Sequence, residues 1–599
     1  MSDRSPEQAG PEVVIIGAGF GGLGTAIELH RAGIGDFVIL EKSAEVGGTW
    51  WENTYPGCGC DVMSLLYSFS YEPNRDWTRM FARQEEILDY LKRVVDRYGL
   101  RDRLRLRSEV TALDFDENAD RWEVRTADGT RYRPRAVVLA AGPLHVPSIP
   151  DFPGRETFGG TSFHSAQWDH RFDPAGKRIA VIGTGASAVQ FVPEVARDAA
   201  RVTVFQRTPH WVIPKPDRPL SRWERRMFRL LPGSQRLYRW AIYWAYESSI
   251  VAFMNPDVMR RFEFLARSHL RRQVRDPRLR RELTPDYRLG CKRILVSDDY
   301  YPTLQRDNVD LVTEPIAHLS PTGITTADGV AREFDAIVYG TGFKIADRFA
   351  DQHLVGANGR SLQDAWRGGM EAFLGVTVHG FPNLFLVMGP NSGGGNQSIV
   401  FMIEAQARYI RQCLELLRRT GNTRLEVRAG TQHEFNRRIQ AKLAGSVWNS
   451  GGCESWYLDE HGVNRAAWPG SSVSYWRVLR QPDPGHFDLT VPADREPAHD
   501  YSGPALLDAP GAEIPVAVTL SGHPDPIDGR YHWYGRVCAT NGDELPDPGR
   551  SQVFLTLPGR HPTAARLEER DPWGNLRITG VGEPPYPWEQ VGDATPARL

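Results

Sequence analysis

Apolar residues over the first 480 positions come in short unbroken runs, each closed by a glycine turn and followed by a stretch of helical periodicity. Val13-Val14-Ile15-Ile16 runs into Gly17-Ala18-Gly19-Phe20-Gly21-Gly22, an amphipathic stretch continues to about Ala32, and Phe37-Val38-Ile39-Leu40 ends at Glu41. The same order returns in Ile179-Ala180-Val181-Ile182, Gly183-Thr184-Gly185-Ala186-Ser187-Ala188, a helical stretch, and Val202-Thr203-Val204-Phe205. A short run with no polar alternation is a strand covered on both faces, so each unit predicts strand, tight turn, helix and parallel strand. Helical periodicity takes over between 221 and 290, through Trp240-Ala241-Ile242-Tyr243-Trp244-Ala245-Tyr246, and predicts an insertion ahead of the strand Ala336-Ile337-Val338-Tyr339. Beyond Gln481-Pro482-Asp483-Pro484-Gly485 the period changes to two in Pro515–Leu520, Tyr531–Val537 and Gln552–Leu557, with turns at Asp528-Gly529 and Asn541-Gly542. That pattern predicts a small all-β domain.

Composition narrows the functions open to such a chain. Lys+Arg 72 against Asp+Glu 74 leaves a net charge of −2 and gives no electrostatic reason for nucleic-acid binding. The six cysteines contain no Cys-x-x-Cys pair and are too sparse for a disulfide framework, so no metal site is expected. The opening residues MSDRSPEQAGPE lack the apolar core of a secretory signal, and no run of ~18 apolar residues reads as a membrane span. The expectation is a soluble, cytoplasmic protein. Charge is uneven, however: residues 221–290 hold sixteen arginines against seven acids, an excess of nine, interleaved with aromatics. A basic aromatic helical segment fits either a solvated lid or a peripheral contact with anionic lipid.

The glycine turns carry the chemistry. In Gly17-x-Gly19-x-x-Gly22 the first glycine permits the turn, the second lets a pyrophosphate approach the backbone, and the third lets helix pack on sheet. Glu41 lies 24 positions after Gly17, where a carboxylate accepts hydrogen bonds from ribose hydroxyls. In the second unit Ala188 replaces the third glycine, and the same offset from Gly183 falls on Arg207. A guanidinium pairs with a 2′-phosphate rather than a 2′-hydroxyl. The first site therefore suits FAD and the second NADPH, the alternative being that Arg207 is only a solvated charge at the strand end, and two such cofactors in one chain mean electron transfer between them. The Cys58-Gly59-Cys60 spacing is too tight for the dithiol of a disulfide reductase.

Between the two units, Phe158-Gly159-Gly160-Thr161-Ser162-Phe163-His164-Ser165-Ala166-Gln167-Trp168-Asp169 resembles the FxGxxxHxxxW(P/D) fingerprint of type I Baeyer–Villiger monooxygenases, on Phe158, Gly160, His164, Trp168 and Asp169. The resemblance spans roughly residues 10 to 480. Gly47–Gly57 followed by Cys60-Asp61 resembles the family's flavin-side loop, and Phe205–Trp211 its 2′-phosphate loop. Cys291-Lys292-Arg293 resembles the segment with the catalytic arginine, and Ser455-Trp456-Tyr457 a late motif of the branch acting on aryl and long-chain ketones. Tyr339-Gly340-Thr341-Gly342-Phe343 resembles a motif in which alanine is usual at the place of Gly340. The last hundred residues resemble a small uncharacterised domain appended to some bacterial monooxygenases of this kind.

The resemblance implies an α/β fold with two Rossmann-type dinucleotide-binding domains, a helical insertion and a C-terminal all-β domain. The expected division is 1–150 with 340–480 for FAD, 151–339 for NADPH with the insertion at 216–290, a linker at 481–500, and the β domain at 501–599. It implies insertion of one oxygen atom of O2 beside a ketone carbonyl, through a C4a-peroxyflavin, with an apolar ketone as substrate. Arg293 and Asp61 are the implied catalytic pair. Cofactor contacts fall on Gly17, Gly19, Gly22, Glu41, Thr49, Trp50, Trp51, Asp61, Tyr67 and Val110, and on Gly183, Thr184, Gly185, Ser187, Ala188, Arg207, Thr208, Lys292 and Trp456. Two alternatives stay open: an N- or S-oxygenating relative, and an NADPH-dependent redox or binding module without oxygenation. Asp61 and Arg293 also admit a purely structural ion pair.

Overall fold

The computed structural model describes residues 10–231, 233–344, 353–395, 397–490, 500–510, 512–524, 530–540, 545–547, 552–570 and 575–587. The chain divides into two units, 1–490 and 491–599. In chain order the first holds β1 (Val13–Ile16), α1 (Phe20–Arg31), β2 (Phe37–Leu40), β3 (Leu104–Arg105), β4 (Ala136–Leu139), β5 (Thr161–His164), β6 (Arg178–Ile182), α2 (Ala186–Val195) and β7 (Arg201–Phe205). The helical insertion follows as α3 (Arg222–Leu230), α4 (Ser234–Ser248), α5 (Ile250–Phe253) and α6 (Pro256–Gln273). Then come β8 (Val309–Val312), β9 (Ala336–Tyr339), β10 (Leu384–Leu386) and α7 (Ile399–Thr420).

Two five-stranded parallel sheets result, ordered β10-β4-β1-β2-β3 and β8-β7-β6-β9-β5. Read from the opposite edge, the second has the topology of the first: β6 takes the place of β1, β7 of β2, and β9 of β4. Every residue of β1, β2, β4 and β9 is buried, as their unbroken apolar runs require. The outer strand beside β4 returns late, as β10, so the first sheet is completed by the chain that follows the second. The outer strand beside β9 is β5, which carries the fingerprint and precedes its sheet.

Residues 484–490, within the stretch expected to be linker, belong to the first unit. Phe487–Thr490 pairs antiparallel with Arg424–Val427 and buries Phe487, because Phe487 and Leu489 alternate with polar residues and need a covered face. The second unit is a closed six-stranded antiparallel barrel of β11 (Tyr501–Ala509), β12 (Ala512–Pro524), β13 (Tyr531–Ala539), β14 (Gln552–Thr556), β15 (Thr563–Arg570) and β16 (Leu576–Val581), in the order β11-β12-β13-β16-β15-β14. Its interior is filled by Leu507, Val518, Leu520, Trp533, Val537, Leu555, Leu576 and Ile578. The turns expected at 528–529 and 541–542 lie outside the described residues.

Candidate active site

Both glycine turns have the steric form that a bound pyrophosphate needs. Gly17 and Gly183 have φ of +101° and +106°, and a Cβ on them would lie 2.6 Å from the Ala140 carbonyl oxygen and 2.5 Å from that of Gly340. A side chain at Gly22 would overlap the Gly17 carbonyl. α1 and α2 start at Gly19 and Gly185 without a side-chain cap, which leaves their first amides for an anion. Glu41 is held in place by the turn itself, its carboxylate accepting from the amides of Ala18 (2.7 Å) and Ser43 (2.9 Å).

Both turns open on one cavity of about 1350 Å3, larger than the ~300–1,000 Å3 of a single-ligand pocket. Gly17, Gly19, Glu41, Thr49, Trp50, Asp61, Tyr67 and Val110 line it from the first fold. Gly183, Thr184, Gly185, Ser187, Arg207 and Thr208 line it from the second, with Lys292, Arg293 and Trp456 from later loops. Trp50 donates its indole N–H to the Tyr67 hydroxyl at 3.2 Å, and Phe20 packs edge-on against Tyr67, which gives one wall an aromatic lining. Gly22, Trp51 and Ala188 do not reach the cavity. Gly22 is filled by its own turn, Trp51 faces Lys92, and Ala188 packs under Gly340.

Asp61 and Arg293, 232 residues apart, meet in a two-pronged ion pair: Arg293 Nε donates to Oδ2 at 2.8 Å and an Nη to Oδ1 at 2.7 Å. Asp61 raises the arginine's pKa further, with Tyr457 and Cys60 beside it, so the group stays a cation at any working pH. Its side chain remains 41% open, toward the cavity. A second positive site is formed by Arg207 and Lys292. Burial and then the nearby Arg207 lower the Lys292 pKa, and burial with Lys292 pushes His210 down to about 4. Two cations held together on a cavity wall fit a dianionic 2′-phosphate. Burial pushes the Cys58 thiol up to about 12 and Cys60 higher still, so neither supplies the thiolate of a dithiol site.

The fingerprint residues stand behind the cavity. His164 is fully buried at the end of β5, in register with Tyr339, and its ring meets Phe343 edge-on at 5.7 Å. It thereby backs the turn Gly340–Phe343, which does line the cavity. Trp168 packs on Phe163 and on Phe191 of α2, and Phe191 on Tyr55 of the flavin-side loop. Phe158 packs at the edge of the second fold's core, a Cβ on Gly160 would meet the Asp335 carbonyl oxygen at 2.6 Å, and Asp169 pairs with Arg171 at the surface.

Sequence reasoning missed two features. Gln190 of α2 clamps the first fold's loop, accepting from the Tyr55 hydroxyl (3.0 Å) and the Gly59 amide (3.3 Å) and donating to the Gly59 carbonyl (3.0 Å). A lone glutamine on a helix carries no signal for this. Cys291 and Cys453 form a disulfide across 162 residues, tying the loop with Lys292 and Arg293 to the loop with Trp456. With no short spacing between them, the sequence offered no pairing.

Two dinucleotide folds that share one cavity define an oxidoreductase with two nucleotide sites. Residues 14–235 match the family described as pyridine nucleotide-disulphide oxidoreductase, and residues 498–588 match a domain of unknown function, DUF4873. The chain is 47% identical over 495 residues to a Baeyer-Villiger monooxygenase of Streptomyces coelicolor, covering 82% of this chain and 95% of that protein. Among solved structures it is similar to an oxidized steroid monooxygenase bound to NADP (TM-score 0.73, 31% identity, 80% of this chain and 99% of that one). It is also similar to an OTEMO complex with FAD and NADP (TM-score 0.72, 28% identity, 80% and 99%). The chain belongs to the Baeyer–Villiger monooxygenase family.

Proposed function

We propose that this protein uses FAD, NADPH and O2 to insert one oxygen atom beside the carbonyl of an apolar ketone, giving an ester or lactone and water. The observation that carries the reading is the Asp61–Arg293 pair on the wall of the cavity onto which both glycine turns open. When bound, the flavin supplies the activation of dioxygen with electrons taken from NADPH.

The chain's own residues supply position and field. Gly19 and the α1 amides cradle the first pyrophosphate, and Glu41 receives the ribose hydroxyls. Gly185 and the α2 amides take the second, with Arg207, Thr208 and Lys292 around the 2′-phosphate. Asp61 holds the Arg293 guanidinium so that one edge is spent on the carboxylate and the other faces the cavity, where negative charge develops on oxygen as the carbonyl is attacked. A cation fixed in advance costs no reorganisation at that moment. Trp50, Tyr67 and Phe20 keep the adjoining wall apolar. We place this chemistry in the cytoplasm, where NADPH is available. Among the described residues no helix is long and apolar enough to cross a membrane.

Turnover under ¹⁸O2 with a panel of ketones, sulfides and amines tests the reading. An ester with one labelled oxygen is expected. A labelled N- or S-oxide as sole product moves the chain to the neighbouring chemistry, and peroxide alone removes oxygenation.

A further inference from the structure

α4 is turned inside out. Two of its three charged residues face inward: Arg239 donates to the Leu65 carbonyl (2.8 Å), the Ser68 hydroxyl (3.0 Å) and the Ser68 carbonyl (3.0 Å). Glu247 is buried and accepts from the Gln397 side chain (2.7 Å), the Ser472 hydroxyl (2.9 Å) and the Val473 amide (3.2 Å). The opposite face, at helical spacings of three, four and seven, presents Leu237, Trp240 and Trp244, which are 68%, 60% and 46% exposed. The two tryptophan rings touch edge-on at 6.2 Å, with Ala241 and Ala245 between and beside them. Single exposed apolar side chains are ordinary, whereas a whole helix face of them with paired tryptophans marks a surface that something covers.

Charge identifies the occupant. Between residues 221 and 248 both acids are engaged: Glu224 closes the α3 cap on Ser221 and pairs with Arg218, and Glu247 points inward. Arg222, Arg226 and Arg236 are exposed. We propose that this face docks on an anionic lipid bilayer, the tryptophans sitting at the headgroup level and the arginines pairing with lipid phosphates. A symmetric dimer through the same face would set arginine against arginine. The inner side of α4 reaches Gln397, which lines the cavity, so the docked helix stands one layer from the site. Delivery of a membrane-dissolved ketone through this contact rests on the oxygenation reading; the docking does not.

The test is flotation of the full-length, FAD-loaded enzyme with vesicles of phosphatidylcholine alone and of phosphatidylcholine mixed with phosphatidylglycerol. Binding is expected only to the mixed vesicles, with loss at about 1 M salt, where the screening length is ~3 Å. Trp240→Ser/Trp244→Ser and, separately, Arg226→Glu/Arg236→Glu should each weaken binding at least about tenfold while turnover of a water-soluble ketone is unchanged. No flotation with anionic vesicles overturns the proposal, as does binding that neither variant weakens. A wild-type dimer that the tryptophan variant dissociates, in sedimentation analysis, assigns the face to a second copy instead. An enzyme that floats but yields only peroxide keeps the docking and loses the oxygenation reading.

Discussion

Arg293→Ala separates oxygen transfer from flavin reduction. The guanidinium makes two charge-assisted hydrogen bonds to Asp61, at 2.8 and 2.7 Å, and this planar fork fixes where its remaining N–H groups point. Hydride transfer from NADPH develops no oxyanion beside it, so reduction should slow by less than about tenfold, a cost below ~1.4 kcal/mol. Attack on the carbonyl does develop one, and loss of a preorganised donor there costs about 2.7–4 kcal/mol, or ~10²–10³ in rate. NADPH consumption, ester and hydrogen peroxide are measured in the same reaction. The expected result is NADPH oxidation close to wild type, ester per NADPH lowered by about 10²–10³, and peroxide making up the balance. Arg293→Lys should recover part of the loss, because an ammonium keeps the charge without the fork. Asp61→Asn should fall between the two, since the amide still accepts one hydrogen bond but no longer holds both prongs. Wild-type ester yield from Arg293→Ala refutes the reasoning outright. A variant that loses FAD or cannot be reduced assigns the pair to structure or coenzyme binding.

Arg207→Ala should raise the NADPH Michaelis constant roughly ten- to a hundredfold, the worth of a charged contact of ~1.5–3 kcal/mol, and leave that of NADH nearly unchanged; equal use of both coenzymes by the wild type would count against the 2′-phosphate site. Truncation after Thr490, at the boundary between the two units, should leave flavin content and NADPH oxidation intact, read from the flavin spectrum and coenzyme kinetics, whereas a folded fragment that cannot be reduced would make the barrel part of the site. His164 is buried with its pKa lowered by desolvation from 6.5 to about 4. The unfolded chain therefore binds a proton that the native state refuses, and stability present above pH 6.5 is lost as pH falls toward 4, by up to about 1.4 kcal/mol per pH unit. Denaturant unfolding at several pH values should have a shallower acid limb in His164→Gln.

The two nucleotide folds were legible because a strand buried on both faces has to be written as an unbroken apolar run, and a turn that meets a phosphate has to be written in glycine. The offset to Glu41 and Arg207 was legible for a similar reason: the length of a strand–turn–helix–strand unit sets where its second strand ends. The barrel was read only in part. β12, β13 and β14 alternate clearly, but β15 reads Thr-Ala-Ala-Arg-Leu-Glu-Glu-Arg, whose inward Ala565 and Leu567 are outnumbered by charges on its outer face. β11 contains Gly503 and Pro504, which interrupt a strand pattern read without its partners. The Asp61–Arg293 pair, 232 residues apart, could be reached only through the family resemblance, since no local pattern brings two distant loops together.

Ala188, which the glycine fingerprint accepts, and Gly340, which departs from the usual alanine, are connected in three dimensions. Ala188 stands where a third glycine would be, and Gly340 where alanine is usual, and each alone reads as a small tolerated change. In the fold they face each other: a Cβ on Gly340 would lie 3.2 Å from the Ala188 Cβ, a tight contact that one of the two would have to yield to by a few tenths of an ångström. With a methyl group on α2 at this point, the turn after β9 has little room for a second, so the two positions form one packing unit. That unit lies under the Gly340–Phe343 turn, the same turn that His164 backs from β5. A turn on the cavity wall is thus fixed from beneath by α2 and from behind by the fingerprint strand, and Gln190, two residues after Ala188 and on the other side of the helix, carries the same helix across to the Tyr55–Gly59 loop. The fingerprint and the second glycine unit then act as one scaffold: they hold the second fold's cavity wall and the first fold's flavin-side loop against a single helix, and none of the fingerprint residues needs to touch a cofactor to do so.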